Sequence, residues 1–365
     1  MCCSAVRYGL KWRKMSPKIT VLMSVFNGEQ FLCEAIESIL NQTFDNFEFI
    51  IIDDASRDLS RKIIASYDDP RIRLVKNSKN IGLTSSLNKG SEFAEGEYIA
   101  RMDADDISYP ERFEEQINFL DRNIDVGVCG TMAQFINSDG KVMNLGNNDK
   151  VMVKDYDMKA QLLFRPCFIH PTVMYRSQLI RSNGTMYTEI HGRYSQDYNL
   201  WYDLSYLCEF ANIPRDLFKY RIHDQQLSRD ERSQQLISSS NIKKIILSDF
   251  LGNELTEEEK IKHTRISVAQ YGSNLSEVDE AENWLKFLMN HNEENRKYKR
   301  ESLTKVLQNI WMLLCMNSSH LGMKLLLKYF SSAFWRFKSE NLHQEMKLIL
   351  KCLIKYKVEL INYRI

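Results

Sequence analysis

Along the first third of the chain, short apolar runs alternate with segments whose apolar residues recur every three or four positions. Residues 18–25 (KITVLMSV) are β-branched and mostly apolar, and they predict a buried strand. The turn Phe26-Asn27-Gly28 follows. Residues 29–41 then place Phe31, Leu32, Ala35, Ile36, Ile39 and Leu40 on one helical face. Residues 47–52 (FEFIII) predict a second strand, ended by Asp53-Asp54. A short helix is expected over 60–67, a third strand over 71–75, a helix over 82–94 and a fourth strand over 97–102. Pro110 suits a first helical turn and opens a segment carrying Phe113, Ile117 and Leu120. Residues 126–128 read as another short strand. Such alternation predicts an α/β fold, a mostly parallel sheet with helices on both faces. Ligands of such sheets bind beyond the carboxyl ends of the strands. That rule gathers Phe26-Asn27, Asp53-Asp54 and Asp103 to Asp106 at one edge.

The pattern then changes twice. Residues 140–225 read as irregular and aromatic-rich, and contain HPT (His170 to Thr172) and SQDYNLW (Ser195 to Trp201). Beyond about residue 232 the periodicity is helical, with capping boxes expected at Thr256-x-x-Glu259 and Ser276-x-x-Asp279. The expected division is a sheet-based unit over 17–232 and a helical region over 233–365. The basic stretch over 1–16 lacks the apolar core of a secretion signal and is expected to be an unstructured leader.

The 365 residues, 27% charged and 44% hydrophobic with net charge +1, are ordinary for a globular protein. Near-neutrality argues against a dedicated nucleic-acid binder. Eight cysteines without a CxxC pattern read as reduced thiols, which points to the cytoplasm. No run reaches the roughly 20 apolar residues of a membrane span. Residues 310–316 (IWMLLCM) come nearest, and Asn317 ends them.

The stretch RMDADD (Arg101 to Asp106) sets three carboxylates into four residues where a buried strand should end. Carboxylates are costly to bury unpaired, and like charges oppose one another's ionisation. Either the segment is a solvated loop or helix cap, or a hard cation sits there. Mg²⁺ and Mn²⁺ take oxygen ligands and keep positions open for phosphate oxygens. The chain has no GxxxxGK[ST] and no GxGxxG, so no glycine loop is available to cradle phosphates.

Taken in order, MSVFN (Met23 to Asn27), ILNQTFDNFEFIIIDDASRD (Ile39 to Asp58), NIGL (Asn80 to Leu83) and GEYIARMDADD (Gly96 to Asp106) resemble the family 2 glycosyltransferases. The resemblance covers roughly residues 17 to 230 and implies the GT-A fold, a Rossmann-like sheet, with an inverting transfer from a nucleotide sugar. It also implies roles residue by residue. Ser24, Phe26, Asn27 and Asn80 match nucleotide-pocket positions; Phe26 stands where tyrosine is common, which loses a hydroxyl contact and keeps the stacking face. Asp54, with Asp53 beside it, matches the carboxylate that accepts from the uracil imide. Asp103 and Ala104 match the ribose side of the Asp-x-Asp motif, and Asp105 the metal ligand, with Mn²⁺ or Mg²⁺ as the ion. Asp197 in SQDYNLW resembles the base that activates the acceptor hydroxyl, though Gln196 stands where Glu is also common. It would equally serve as a first-turn helix residue. His223 in YRIHDQQLS resembles a histidine placed near the metal or diphosphate, whereas His170 in HPTVMYR either shapes the acceptor side or, more simply, supports a strand start. The implied partners are a UDP-sugar donor and a glycan or lipid-linked acceptor, in capsule, exopolysaccharide or O-antigen assembly.

Two other readings share this sheet. A nucleotidyltransferase would carry a glycine-rich basic loop after strand one, where this chain has SVFNGE with an acid. A non-catalytic nucleotide-binding protein would be expected to lack Asp105 or Asp197, and both are present. In the tail, Val306, Ile310, Trp311, Leu313, Leu314, Leu325, Leu326, Leu327, Phe330, Phe334 and Trp335 lie among Lys305, Lys324, Lys328, Arg336 and Lys338. This segment suits either a helical bundle packed on the sheet unit or a peripheral contact with the inner face of the cytoplasmic membrane.

Overall fold

A computed structural model describes residues 16–143, 152–181, 186–190, 194–224, 232–252, 255–336 and 342–362. The expected leader lies outside them apart from its last residue, Ser16. The chain opens with β1 (Ile19–Val25), α1 (Leu32–Leu40), β2 (Phe47–Asp53), α2 (Ser60–Ala65), β3 (Ile72–Lys76), α3 (Leu83–Ser91) and β4 (Tyr98–Asp103). Then come β5 (Ile107–Ser108), α4 (Arg112–Arg122), β6 (Val126–Ile136), α5 (Asp155–Gln161), β7 (Met174–Arg176), α6 (Ser177–Arg181), α7 (Gln196–Leu204) and β8 (Glu209–Arg221).

One eight-stranded sheet runs in the order β3-β2-β1-β4-β7-β6-β8-β5. Strand β1 pairs parallel with both β2 and β4, and β2 pairs parallel with β3. Strand β7 is antiparallel to β4 and β6, β6 runs parallel to β8, and β5 is antiparallel to β8. Chain order reverses direction at β1, so the crevice for a ligand opens at the carboxyl ends of β1 and β4. Register puts Ser24 opposite Asp103 and Val25 opposite Asp53, so the expected polar strand ends do share one edge.

Alternation along the strands feeds two apolar layers. Ile19, Val21, Met23, Phe49 and Ile51 face α1 and α4, whose Leu32, Ile36, Ile39, Phe113 and Ile117 are buried with them. Leu22, Ile50 and Ile52 face the other way, into a cluster that continues to Trp284, Trp311 and Leu325 of the helical region. Gly96 marks where the chain enters β4. A Cβ there would lie 2.4 Å from the backbone nitrogen of Thr20, so the turn requires glycine.

Four details differ from the sequence expectations. Strand β6 is eleven residues long and extends well past 128. The 13-residue β8 occupies part of the stretch read as irregular; its pairing with β6 shifts register beside the exposed Pro214 to Asp216, which broke the alternation a strand would show. Pro110 lies in a turn before α4, whose cap is Glu111. Of the two capping boxes, Thr256 and Glu259 form theirs, but the next helix starts earlier, with Asn274 as cap accepting from the Glu277 N–H at 3.0 Å.

The helical region comprises α8 (Arg232–Leu251), α9 (Glu257–Ser267), α10 (Leu275–Asn295), α11 (Arg300–Asn317), α12 (Met323–Ser331), α13 (Ala333–Arg336) and α14 (Leu342–Asn362). It packs on the sheet unit. Lys305 pairs with Asp157 at 3.2 Å. The fully buried His263 links Trp284, whose Nε1–H donates to Nδ1 at 3.2 Å, to the Leu163 carbonyl 2.8 Å from Nε2. Burial lowers the pKa of this histidine to about 4, so it is the neutral ring that makes both bonds. Val306, Ile310, Trp311, Leu314, Leu325, Leu326 and Phe334 are buried, so most of the expected amphipathic stripe is core; Lys338 lies outside the described residues. Among those residues, no helix is long and apolar enough to cross a membrane.

Candidate active site

The loops that follow β1 and β2 are laced to each other. Asn27 adopts a left-handed backbone (φ 53°) that asparagine tolerates. Its N–H donates to Ser56 Oγ at 3.1 Å, and its Oδ1 accepts from the Arg57 N–H at 2.8 Å. The Gly28 N–H donates to Ser60 Oγ, and the Glu29 N–H to Asp58. Lacing holds the Phe26 ring at the rim, 45% exposed, where an aromatic face is free to stack.

Both acids ending β2 are drawn into the fold. Asp53 is fully buried, accepts from the Ser56 N–H at 3.0 Å and pairs with Arg61 at 2.7 Å. Asp54 accepts from Asn77 Nδ2 and from the N–H groups of Ile81 and Gly82, all at 2.8–2.9 Å. Gly82 has φ 86° and caps α3, so Asp54 ties the entry of that helix to the sheet edge. Three donors leave one of about four lone-pair positions on this carboxylate. Asn80, beside Ile81, is exposed.

The acids ending β4 are held differently. Arg101 points into the protein from the buried strand; it is fully buried and pairs with Asp103, and its Nε has no hydrogen-bond partner. Burial raises the Asp103 pKa, Arg101 opposes that, and Asp105 adds to it. Ala104 packs near Gly28, bringing the acidic loop against the loop after β1. Asp105 Oδ2 lies 3.0 Å from His223 Nε2 at the end of β8, and the His223 ring packs on Phe31 of the β1–α1 loop. One carboxylate oxygen each from Asp103, Asp105 and Asp106 lie within 4.8 Å of one another.

Arg221 builds this end of the sheet, and sequence reasoning did not single it out. Its Nε donates to the Asp105 carbonyl at 2.7 Å, its Nη1 to the carbonyls of Asn137 and Ser138, and its Nη2 to Glu34. The guanidinium also lies 4.4 Å from the Phe31 ring centre. Its backbone N–H donates to Asp106 Oδ1 at 2.8 Å. Asp106 is buried, and its Oδ2 has no partner. The signal for both arginines was present: a lone cation inside an apolar strand, or two residues before a candidate ligand, implies a fixed anion.

Asp197 occupies the first turn of α7, capped by Ser195, with Tyr198, Leu200 and Trp201 buried behind it. Its carboxyl is partly exposed. Burial raises its pKa to about 6, against hydrogen bonds from backbone N–H groups, and the Asp103 charge raises it further while Arg101 lowers it. Asp197 therefore lies within electrostatic reach of the β4 acids. His170 opens a single 3₁₀ turn that leads into β7, and its Nε2 is 2.6 Å from the Tyr187 hydroxyl. Burial lowers the His170 pKa well below the ordinary range, with Arg101 acting in the same sense. This is consistent with its reading as support for a strand start.

The donor set suits a hard divalent cation. Three carboxylates converge, His223 stands beside one of them, Asp105, and the orphaned Asp106 oxygen leaves acceptor capacity inside the cluster.

Residues 20–183 match the family model described as glycosyl transferase family 2. An uncharacterized glycosyltransferase of Haemophilus influenzae is 31% identical over 242 residues, which cover 64% of this chain and 75% of that protein. One from Methanocaldococcus jannaschii is 35% identical over 234 residues, covering 62% and 79%. The O-antigen biosynthesis glycosyltransferase WbnJ of Escherichia coli is 29% identical over 247 residues, covering 65% and 92%. Among solved structures, S. aureus TarS 1–349 in complex with UDP-GlcNAc superposes with a TM-score of 0.53 at 15% identity, over 94% of this chain and 91% of that one. Its complex with UDP gives 0.51 at 17% over the same shares. At that identity the likeness concerns the fold, and it agrees with the expected GT-A architecture. With a strand-edge site of this composition, and relatives matched over most of their own length, the chain belongs to glycosyl transferase family 2 and is a glycosyltransferase.

Proposed function

We propose that the enzyme moves a hexose or N-acetylhexosamine from a UDP-sugar to a hydroxyl of a glycan or lipid-linked acceptor, with inversion, in the assembly of a surface polysaccharide. The observation that carries the reading is Asp197, a carboxyl whose pKa of about 6 leaves it ionised at neutral pH yet basic enough to take a proton. It lies within electrostatic reach of the acidic strand end. Having no second carboxylate assigned as nucleophile suits a single displacement. The acceptor O–H gives its proton to Asp197 as its oxygen bonds to the sugar C1, and the C1–O bond to the diphosphate breaks, releasing UDP. The inverted product is β-linked if the donor is α-linked.

In this reading Ser24, Phe26, Asn27, Asp53, Asp54, Asn80, Asp103 and Ala104 bind the nucleotide sugar. The exposed Phe26 ring stacks on the base. The remaining lone pair of Asp54 accepts from the imide, and Asp53 holds the loop through Arg61 and Ser56. Asp103, kept in place by Arg101, faces the ribose. Asp105 and His223 would hold Mn²⁺ or Mg²⁺, which neutralises charge on the departing diphosphate. The uridine preference is supported by the Asp54 match and by a structural neighbour described with UDP and UDP-GlcNAc, and the polysaccharide role by the O-antigen relative.

The test is a panel of UDP-, dTDP- and GDP-sugars, with Mn²⁺ or with EDTA, against wild type, Asp105→Ala and Asp197→Asn. One UDP-sugar is expected to bind with metal, to be lost in Asp105→Ala, and to bind Asp197→Asn without turnover. Metal-independent behaviour across the panel would remove the cation from the scheme, and turnover by Asp197→Asn would remove the base.

A further inference from the structure

Helix α14 has two apolar sides. Leu348 and Cys352 are fully buried on one, where the helix packs against α11, α12 and the 3₁₀ turn Ser319–Leu321. Leu342, Met346, Leu350, Leu353 and Ile354 are 71%, 57%, 59%, 43% and 55% exposed on the other. At 100° per residue these five fall within about 120° of the helix circumference, a continuous stripe. Lys347, Lys351 and Lys355 follow at four-residue spacing in a row along one border of the stripe. The one acid among residues 342–355, Glu345, lies away from it and accepts from the Tyr329 hydroxyl at 3.1 Å. A monomer gains nothing by leaving such a stripe in water.

We propose that this stripe seats the protein on an anionic lipid surface. Leu342, Met346, Leu350, Leu353 and Ile354 enter the headgroup–acyl boundary, while the three lysines extend their stems along it and meet lipid phosphates. Charge separates this occupant from a second copy of the chain. A self-complementary antiparallel pairing would set the two lysine rows side by side. Of the segment that sequence periodicity offered for the same contact, Leu313, Leu327, Phe330 and Trp335 are exposed while the rest is core. Contact is therefore assigned to α14, and it stands independently of which sugar or acceptor the enzyme uses.

The full-length protein is sedimented with phosphatidylcholine vesicles lacking or containing phosphatidylglycerol, at low and high salt. Wild type should bind the anionic vesicles at least tenfold better and lose that advantage in high salt. Reversing the row (Lys347→Glu, Lys351→Glu, Lys355→Glu) should weaken binding about a hundredfold, at roughly tenfold or less per lysine. Leu350→Glu with Leu353→Glu should abolish it. All five positions are solvent-facing or partly so, and unchanged melting and donor hydrolysis would show both variants folded. Binding that ignores vesicle charge, no binding at all, or a dimer that Leu350→Glu dissociates would each overturn the assignment.

Discussion

Two groups of acids end the strands on either side of β1, at the same edge, and the fold treats them oppositely. Asp53 and Asp54 are 0% and 2% exposed and take up backbone N–H groups, Asn77 and Arg61. Asp103 and Asp105 keep 30% and 27% of their side chains open, with Arg101 and His223 as their polar partners. The difference lies in the loop that each strand runs into. After β2 the chain turns at once into loops rich in inward N–H groups, which consume carboxylate oxygens. After β4 it offers Ala104 and a second and third acid, so the charge meets few donors. An acid at a strand edge is thus a ligand only to the extent that its own loop leaves it unsatisfied.

The contrast predicts opposite phenotypes. Asp105→Asn should lower turnover by about a thousandfold, the scale of losing charge stabilisation worth several kcal/mol. Its melting temperature should hold or rise, because one of three crowded like charges is gone. Saturating Mn²⁺ should raise the melting temperature of wild type and not of this variant. Asp54→Asn should move stability the other way. It strands buried N–H donors at about 1–3 kcal/mol each, and calorimetry should register a drop of several degrees. An Asp54→Asn protein that melts like wild type would show its inward donors to be dispensable to the fold and erase the contrast.

Arg221 sharpens the comparison from the other side, since it holds the acidic loop by its backbone rather than by its carboxylates. Arg221→Met removes the bond to the Asp105 carbonyl and those to Asn137, Ser138 and Glu34. Loss of such outer support typically costs ten- to a hundredfold in metal affinity, which Mn²⁺ titration would read directly. Arg221→Lys should not restore it, because one ammonium cannot span four acceptors in a planar fork.

How legible this was depends on the reach of each signal. Strands β1 to β4 and the acidic edge were readable because FEFIII and KITVLMSV are local patterns, and topology places their ends. Strand β8 was not, because Pro214, Arg215 and Asp216 sit at a register shift that a partner strand tolerates and a sequence window does not. Arg221 was visible as a residue but not as a clamp, since its partners lie far off along the chain. The tail's stripe was left open between two readings for a related reason. Periodicity reveals an apolar face but not what covers it, and Trp311 proved to be core while Leu350 is surface.

The smallest effect concerns Asp197, and its sign differs from those above. Its folded pKa of about 6 lies above the ordinary carboxylate value of 3.8, so the fold prefers the protonated form. The penalty is absent below pH 4, grows as pH rises through 4 to 6, and is complete by pH 7. It amounts to roughly 1–3 kcal/mol there. Asp197→Asn removes the charge and keeps the shape, so the variant should melt a few degrees above wild type at pH 7 and level with it near pH 4. Activity runs against stability at this residue. Wild-type turnover should fall about tenfold per pH unit below 6, as the base becomes protonated. A base is useful here because the fold holds it in a form it would rather neutralise. A variant whose advantage over wild type is no larger at pH 7 than at pH 4 would show Asp197 to be an ordinary first-turn helix residue.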